Sequence, residues 1–271
     1  GFQFLDDNLA IGIDEASTII SIHKKNETTI HYDGMLIPGL INCHCHLELS
    51  HLKNELPEKT GLIGFIKNIV SKRNQFSEAF IQEKIIEAEN KMIQNGIVAV
   101  GDISNGLDTL SIKKLQNIYY HTFVECFGLD EDYALSIIEK AKSIINEFEK
   151  YATSSVVLHA PYSITDKLID EVKIESKQQI VTIHNQETES ENELFEKGKG
   201  GMKDFFINSF PNTPIWKATN KSSLQNYFSH FSNFKNSILV HNTFTSKEDI
   251  DFAKSIDTNT FWCLCPNANL Y

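Results

Sequence analysis

No apolar run in the 271 residues approaches membrane-spanning length, so no transmembrane helix is expected within them. Positive charge is also in short supply. The 25 Lys and Arg face 36 Asp and Glu, for a net charge of -11, which argues against a general nucleic-acid binder and against a protein drawn to acidic membranes. Cysteine is odd in number, five in all, and no two stand in C-x-x-C spacing. That excludes a disulfide framework and points to reduced thiols packed as small hydrophobes in a reducing compartment. Internal repeats and low-complexity tracts are missing, as is a basic-then-apolar leader at the start. The chain opens on Gly1 rather than Met, so residues upstream are expected. A cytoplasmic location is the default, which an export signal ahead of Gly1 would overturn.

What is present is an ordinary soluble-enzyme composition, 41% apolar and 23% charged, in a chain long enough for one large domain, alone or with a small one. Its centre of gravity is the stretch from Leu36 to Ser50, an apolar run broken by Pro38-Gly39 that ends in His44-Cys45-His46. Read as a strand, His44, His46 and Glu48 share one face, with Cys43, Cys45 and Leu47 on the other. Two imidazoles at i and i+2 can reach one metal ion, and imidazole suits zinc, iron or nickel. The same alternation excludes a knuckle built from Cys43, His44, Cys45 and His46 together, because neighbours point opposite ways. A bare His-x-His is more often a pair of ordinary polar residues, so the rest of the chain has to decide.

Before this stretch, 9–13, 18–23 and 28–32 read as short strands of a small β layer, with His23 and His31 on its solvent face. After it, strands and helices alternate. Helices are expected over 62–72, over 77–94 with Ile81, Ile85, Ala88 and Met92 as one stripe, and over 132–150 with Leu135, Ile138, Ala141 and Ile145 on one side. Ser163 and Ser246 open stretches with capping-box spacing ahead of two further helices. Residues 197–220 have weak periodicity and read as a long loop. The expected strands carry polar groups at or near their C-terminal ends: His44 and His46, Asp102, Glu125, His159, His184 and His241. Alternating strand and helix implies a parallel sheet, open or closed. A (β/α)8 barrel is favoured, because only a ring brings the first and sixth strands to one ion.

His184-Asn-Gln-Glu187 adds a third imidazole and a carboxylate. If a helix begins there, Glu187 lies one turn above His184 and faces the same pocket. A metal ligand and a proton carrier so close suit hydrolysis. Glu189 and Glu193 read instead as an acidic first helical turn favoured by the helix dipole. His241, a further histidine at this face, is placed against the attacking water.

The segments Pro38–His46, His159-Ala-Pro-Tyr162, His184–Glu187, Val240-His241 and Cys265–Leu270 occur in an order that resembles the amidohydrolase superfamily, in its cytosine-deaminase-like and chlorohydrolase-like branch. The resemblance implies a TIM-like (β/α)8 barrel and one divalent metal ion, zinc ahead of iron(II). His44, His46 and His184 would be ligands, Glu187 the proton shuttle, His241 the group that orients water, and His159 a substrate contact. Glu191 and Trp216 are further candidate substrate contacts, Trp216 as part of a lid over an aromatic base. The binuclear members use a carbamylated lysine on the fourth barrel strand. That strand has none here, which implies a mononuclear site. His44–Ser50 and His184–Thr188 most resemble adenosine-type deaminases, which implies hydrolytic deamination of a small aminated heterocycle. A cyclic amidohydrolase, a chlorohydrolase and a non-catalytic metal-binding relative are the alternatives. No nucleic acid or membrane partner is expected, and a homodimer is left open. The family places a metal-binding aspartate on an eighth strand, and the sequence stops at Tyr271 after the seventh. The expectation is therefore a partial β domain over 1–37 and an incomplete barrel over 38–271 that lacks one metal ligand.

Overall fold

The computed structural model describes residues 6–16, 18–210, 216–232, 234–256 and 259–268. They fall into two compact units, 1–38 and 39–271. The smaller unit is an antiparallel hairpin of β1 (Leu9–Ile13) and β2 (Ile19–Lys24). Its turn is pinned by Asp14, whose carboxylate accepts the backbone N–H groups of Ala16 and Thr18. The strand expected over 28–32 does not form. There Asn26 instead gathers the Thr28 and Thr29 hydroxyls and the Thr28 N–H in a local turn, and short polar side chains that bind nearby backbone compete with a sheet ladder.

The larger unit begins with β3 (Leu40–Cys45), a 3-10 turn over Leu47–Leu52, α1 (Gly61–Lys72), α2 (Glu78–Gln94), β4 (Ile97–Ser104) and the one-turn α3 (Leu110–Lys113). It continues with β5 (Tyr119–Cys126), α4 (Ala134–Phe148), β6 (Thr153–Leu158), α5 (Asp166–Glu175) and β7 (Ile180–Asn185). Then come α6 (Glu189–Lys197), α7 (Gly201–Ser209), α8 (Ser223–Tyr227), β8 (Asn236–His241), α9 (Lys247–Ile256) and β9 (Thr260–Cys263).

Strands β3 to β6 pair in parallel, each with the next in sequence, and so do β7 to β9. Between β6 and β7 the ladder gives way to isolated bridging bonds. Ser155 Oγ donates to the Ile180 carbonyl at 2.7 Å, and the His184 N–H to the His159 carbonyl at 2.9 Å. Seven parallel strands thus follow one another in chain order, with helices packed outside. Gly101 sits where β4 crosses closest to β3: a Cβ there would stand 2.5 Å from the Cys43 carbonyl oxygen. Only glycine fits that approach.

The main core lies between β5–β8 and the helices α4 and α5. Phe123, Val157, Leu158, Ile183 and Leu239 meet Ile138, Ala141, Phe148, Leu168 and Val172 there. Ile81, Ile85, Ala88 and Met92 form the inner stripe of α2 as expected, packed with Leu47 and Val100. On α4, Ile138 and Ala141 face the core with Ile144 and Phe148, while Leu135 is exposed.

Three further expectations are corrected. Residues 197–220 are not one long loop. Gly198, at φ +60°, ends α6, and α7 follows at once, with Met202 and Phe206 buried. Two short helices broken by a left-handed glycine leave no continuous period to read. The cap of α5 is Thr165, whose hydroxyl accepts the Leu168 N–H, and not Ser163. Ser163 lies in a 3-10 turn and turns its hydroxyl elsewhere. Asp102 does not join the ring of polar strand ends. It lies inside β4, fully buried, paired with Lys113 Nζ at 2.6 Å. Among the described residues no helix is long and apolar enough to cross a membrane.

Candidate metal centre and active site

Strand β3 delivers His44 and His46, β7 delivers His184, and β8 delivers His241. One ligand nitrogen from each of His44, His46 and His184 lies within 4.8 Å of the others. The His46 and His184 Nε2 atoms stand 3.2 Å apart. His44 packs edge-on to His184, with ring centres 4.8 Å apart, and His241 stacks on His184 at 5.5 Å.

Burial holds all three imidazoles toward the neutral form. It lowers the pKa of His46, and lowers those of His44 and His184 well below the ordinary value, with the crowding of the other rings adding to it. Neutral imidazole is the form that binds a metal. His184 Nδ1 donates to the His159 carbonyl at 2.7 Å, which fixes the tautomer and leaves the Nε2 lone pair facing His46. His44 Nδ1 and His46 Nδ1 are buried without a hydrogen-bond partner. Three neutral nitrogen donors that converge, with orphaned polar atoms around them, fit one divalent cation.

Glu187 reaches this cluster by a route other than the one expected. Strand β7 runs on to Asn185, Gln186 takes a left-handed φ of +45°, and α6 begins only at Glu189. A turn therefore aims Glu187, and the helical spacing from His184 plays no part. One carboxylate oxygen lies 3.5 Å from His241 Nε2, and burial pushes the Glu187 carboxyl up to about 7.

Strain concentrates here. His241 and Asn242 also sit at positive φ, +75° and +59°. Such backbone costs on the order of 1–3 kcal/mol per residue and persists only where surroundings hold it. The surroundings are a polar lattice. The Asn242 N–H donates to the Asn185 carbonyl at 3.0 Å. Gln186 Nε2 donates to Asp249 at 3.0 Å, and Gln186 Oε1 accepts from Thr245 Oγ1 at 2.7 Å. Asp249 also closes the cap of α9 with Ser246. The turn after β7 and the turn after β8 are thereby one rigid piece.

The amidohydrolase family matches residues 35–271, most of the chain. The chain belongs to the amidohydrolase family. Adenosine deaminase of Helicobacter pylori is 26% identical over 99% of this chain and 65% of its own length. Helicobacter pylori aminofutalosine deaminase, solved with methylthio-coformycin, superposes with a TM-score of 0.76 at 23% identity, over 97% of this chain and 66% of that one. A Xanthomonas campestris adenosine deaminase with bound zinc gives 0.71 at 14% identity, over 97% and 59%. The chain thus spans under two thirds of the length of each of these relatives. The two structural likenesses establish the fold: mixed α/β, built on parallel strands.

Three other candidates in this amidohydrolase fall in different places. His159 is at the centre: its ring lies 5.0 Å from that of His184, and Ser163 Oγ holds its Nδ1 at 2.7 Å. Trp216 is half-buried and packs on Phe206 at 5.6 Å, in an apolar cluster with Tyr162, Leu62 and Ile63 that adjoins His159. Part of the proposed lid, 211–215, lies outside the described residues, as do 269 and 270 of the last family segment. Glu191 is corrected. It is fully enclosed, and its oxygens accept the backbone N–H groups of Gln186 and Glu187. It shapes the Glu187 turn from behind instead of meeting a ligand. Glu48, expected on the strand face of His44 and His46, lies past the end of β3 in the 3-10 turn and binds Asn105. Asn105 and Lys113 gave no sequence signal, being single residues with no motif around them.

Proposed function

We propose that this chain carries the metal centre of a hydrolase that deaminates an aminated purine nucleoside. The carrying observation is the convergence of His44, His46 and His184 on one point with the Glu187–His241 pair beside it. Strands β3 to β9 are read as seven strands of a TIM-like (β/α)8 barrel whose C-terminal ends make the site. His44, His46 and His184 would hold one divalent ion, zinc ahead of iron(II). A bound ion supplies the Lewis acidity that makes water a competent nucleophile near neutral pH.

The chain's own residues do the rest. Glu187, whose carboxyl burial raises to about 7, takes a proton from the attacking water and delivers it to the heterocycle nitrogen; the water oxygen adds at the amine-bearing carbon, whose C–N bond then breaks to release ammonia. His241 orients that water, and its left-handed backbone keeps the ring against Glu187. His159, with Nδ1 engaged by Ser163, has Nε2 for a substrate atom. Tyr162, Phe206 and Trp216 form the apolar wall beside it, suited to the flat face of a base. The relatives named for adenosine and aminofutalosine deamination support the purine nucleoside class.

The test is ammonia release from adenosine and 5′-substituted adenosines by the zinc-loaded protein, against a cyclic amide and a chlorotriazine. Turnover of purine nucleosides alone is expected. Ring opening or halide release with no ammonia would replace this reading with the cyclic amidohydrolase or the chlorohydrolase.

A further inference from the structure

Behind the three imidazoles lies a buried acidic bridge. Glu48, two residues past His46, accepts the Asn105 backbone N–H at 2.9 Å and its side-chain amide at 3.0 Å. The same amide nitrogen donates to Glu125 Oε2 at 3.2 Å. Glu125 Oε1 stands 3.4 Å from His184 Nδ1 and makes no hydrogen bond. Its side chain is 3% exposed. The bridge thus runs from the end of β3, which carries His44 and His46, to β7, which carries His184.

The grouping of Glu125, His159 and His184 has the spacing of a second metal site. It is not one, because His184 Nδ1 carries the proton donated to the His159 carbonyl and has no lone pair to offer.

Two carboxylates that share one amide in a buried place make a poor structural strut. Burial without full compensation is costly, and an apolar filling would be more stable. Among the described residues the cation paired with the bridge is Arg73, 3.9 Å from Glu48 and partly exposed. Three neutral imidazoles bring no charge to a divalent ion. We propose that Glu125 is a positioning residue for the metal centre: it lies behind the His184 ring, strengthens it as a donor, and supplies negative charge that the bound cation compensates. This rests on the metal-binding reading above.

The two roles predict opposite signs. If Glu125 serves the metal, Glu125→Gln weakens zinc binding about 10-fold or more, because a buried unit charge close to the cation is lost. It also leaves the melting temperature of the metal-free protein unchanged or higher, because an uncompensated buried charge is gone. Zinc affinity is read by competition with a chromophoric chelator, and melting in EDTA by circular dichroism. Glu125→Asp, which keeps the charge, is expected to bind zinc more tightly than Glu125→Gln. Zinc affinity of Glu125→Gln within threefold of wild type would overturn the proposal. So would a fall in the metal-free melting temperature as large as the fall with zinc bound. Should Glu125→Gln not fold, Glu48→Gln is read in the same way, with weaker zinc binding expected and unchanged affinity overturning the proposal. Wild-type protein that takes up no zinc would instead remove the metal-centre reading itself.

Discussion

At the scale of single residues, burial sets the protonation states that the chemistry needs. Burial lowers the pKa of His46 and lowers those of His44 and His184 well below the ordinary imidazole value. Protons therefore compete weakly with a metal, and the zinc affinity of the folded protein should stay nearly flat from about pH 8 down to about pH 6.5, where free imidazole titrates. A tenfold loss over that span, in chelator competition, would contradict the neutral cluster. Glu187 is shifted the other way, up to about 7. A carboxyl raised on folding binds protons more tightly in the folded chain. Its contribution to stability is full below the ordinary carboxylate range and is lost as pH climbs through about 7. In the metal-free protein, wild type should thus lose up to about 3 kcal/mol relative to Glu187→Gln between about pH 4 and pH 8, read by urea denaturation. The same variant should lower kcat by about 10²- to 10⁴-fold with metal content retained, as loss of a proton-transfer group does.

Among the elements, neighbouring residues with similar chemistry do different work. Thr165 caps α5, and Ser163 holds the His159 ring. Thr165→Ala should cost about 1 kcal/mol of stability and leave KM alone. Ser163→Ala should raise KM with little loss of stability. Denaturation and steady-state kinetics on the two variants separate these outcomes, and a shared phenotype would show that the 163–165 segment acts as one unit. Lys113, from the single turn of α3, is enclosed against Asp102, and Asp102 Oδ1 accepts the Leu47 N–H just past His46. Lys113→Met strands that carboxylate and should cost about 3–5 kcal/mol, whereas Lys113→Met with Asp102→Asn should cost less. A double variant no better than the single would show that the pair's charge is not what matters there.

For the whole molecule, the metal is the expected keystone. Its ligands come from β3 and β7, which lie in separately paired sheets. A ligand that binds only the folded chain stabilises it by about 2.7 kcal/mol at a hundredfold excess over Kd. For a unit of this size that is a rise in Tm of roughly 5–10 °C on adding zinc, reversed by EDTA. An unchanged Tm would mean that the histidines meet without holding a metal.

Much of this was legible in the sequence. His44-Cys-His46, the apolar strands that end in histidines, and the α2 stripe rest on local periods of two and 3.6, and a local period survives into any fold that buries it. That His184 lies with His44 and His46 is read from the polar groups at the strand ends, because strand order fits an open sheet as well and only a ring brings those ends to one ion. What only the tertiary structure decided are features with no period to read. Gln186 takes a left-handed backbone because Asp249 and Thr245 hold its side chain, and that turn, not a helix, aims Glu187. Asp102 looks like one more polar strand end until Lys113, eleven residues on, meets it in the core. Glu191 belongs to the backbone behind the site, not to the substrate, because two N–H groups claim its oxygens. In each case a partner distant in space, or a turn with no repeat, sets the direction of one side chain, and one-dimensional order carries no record of it.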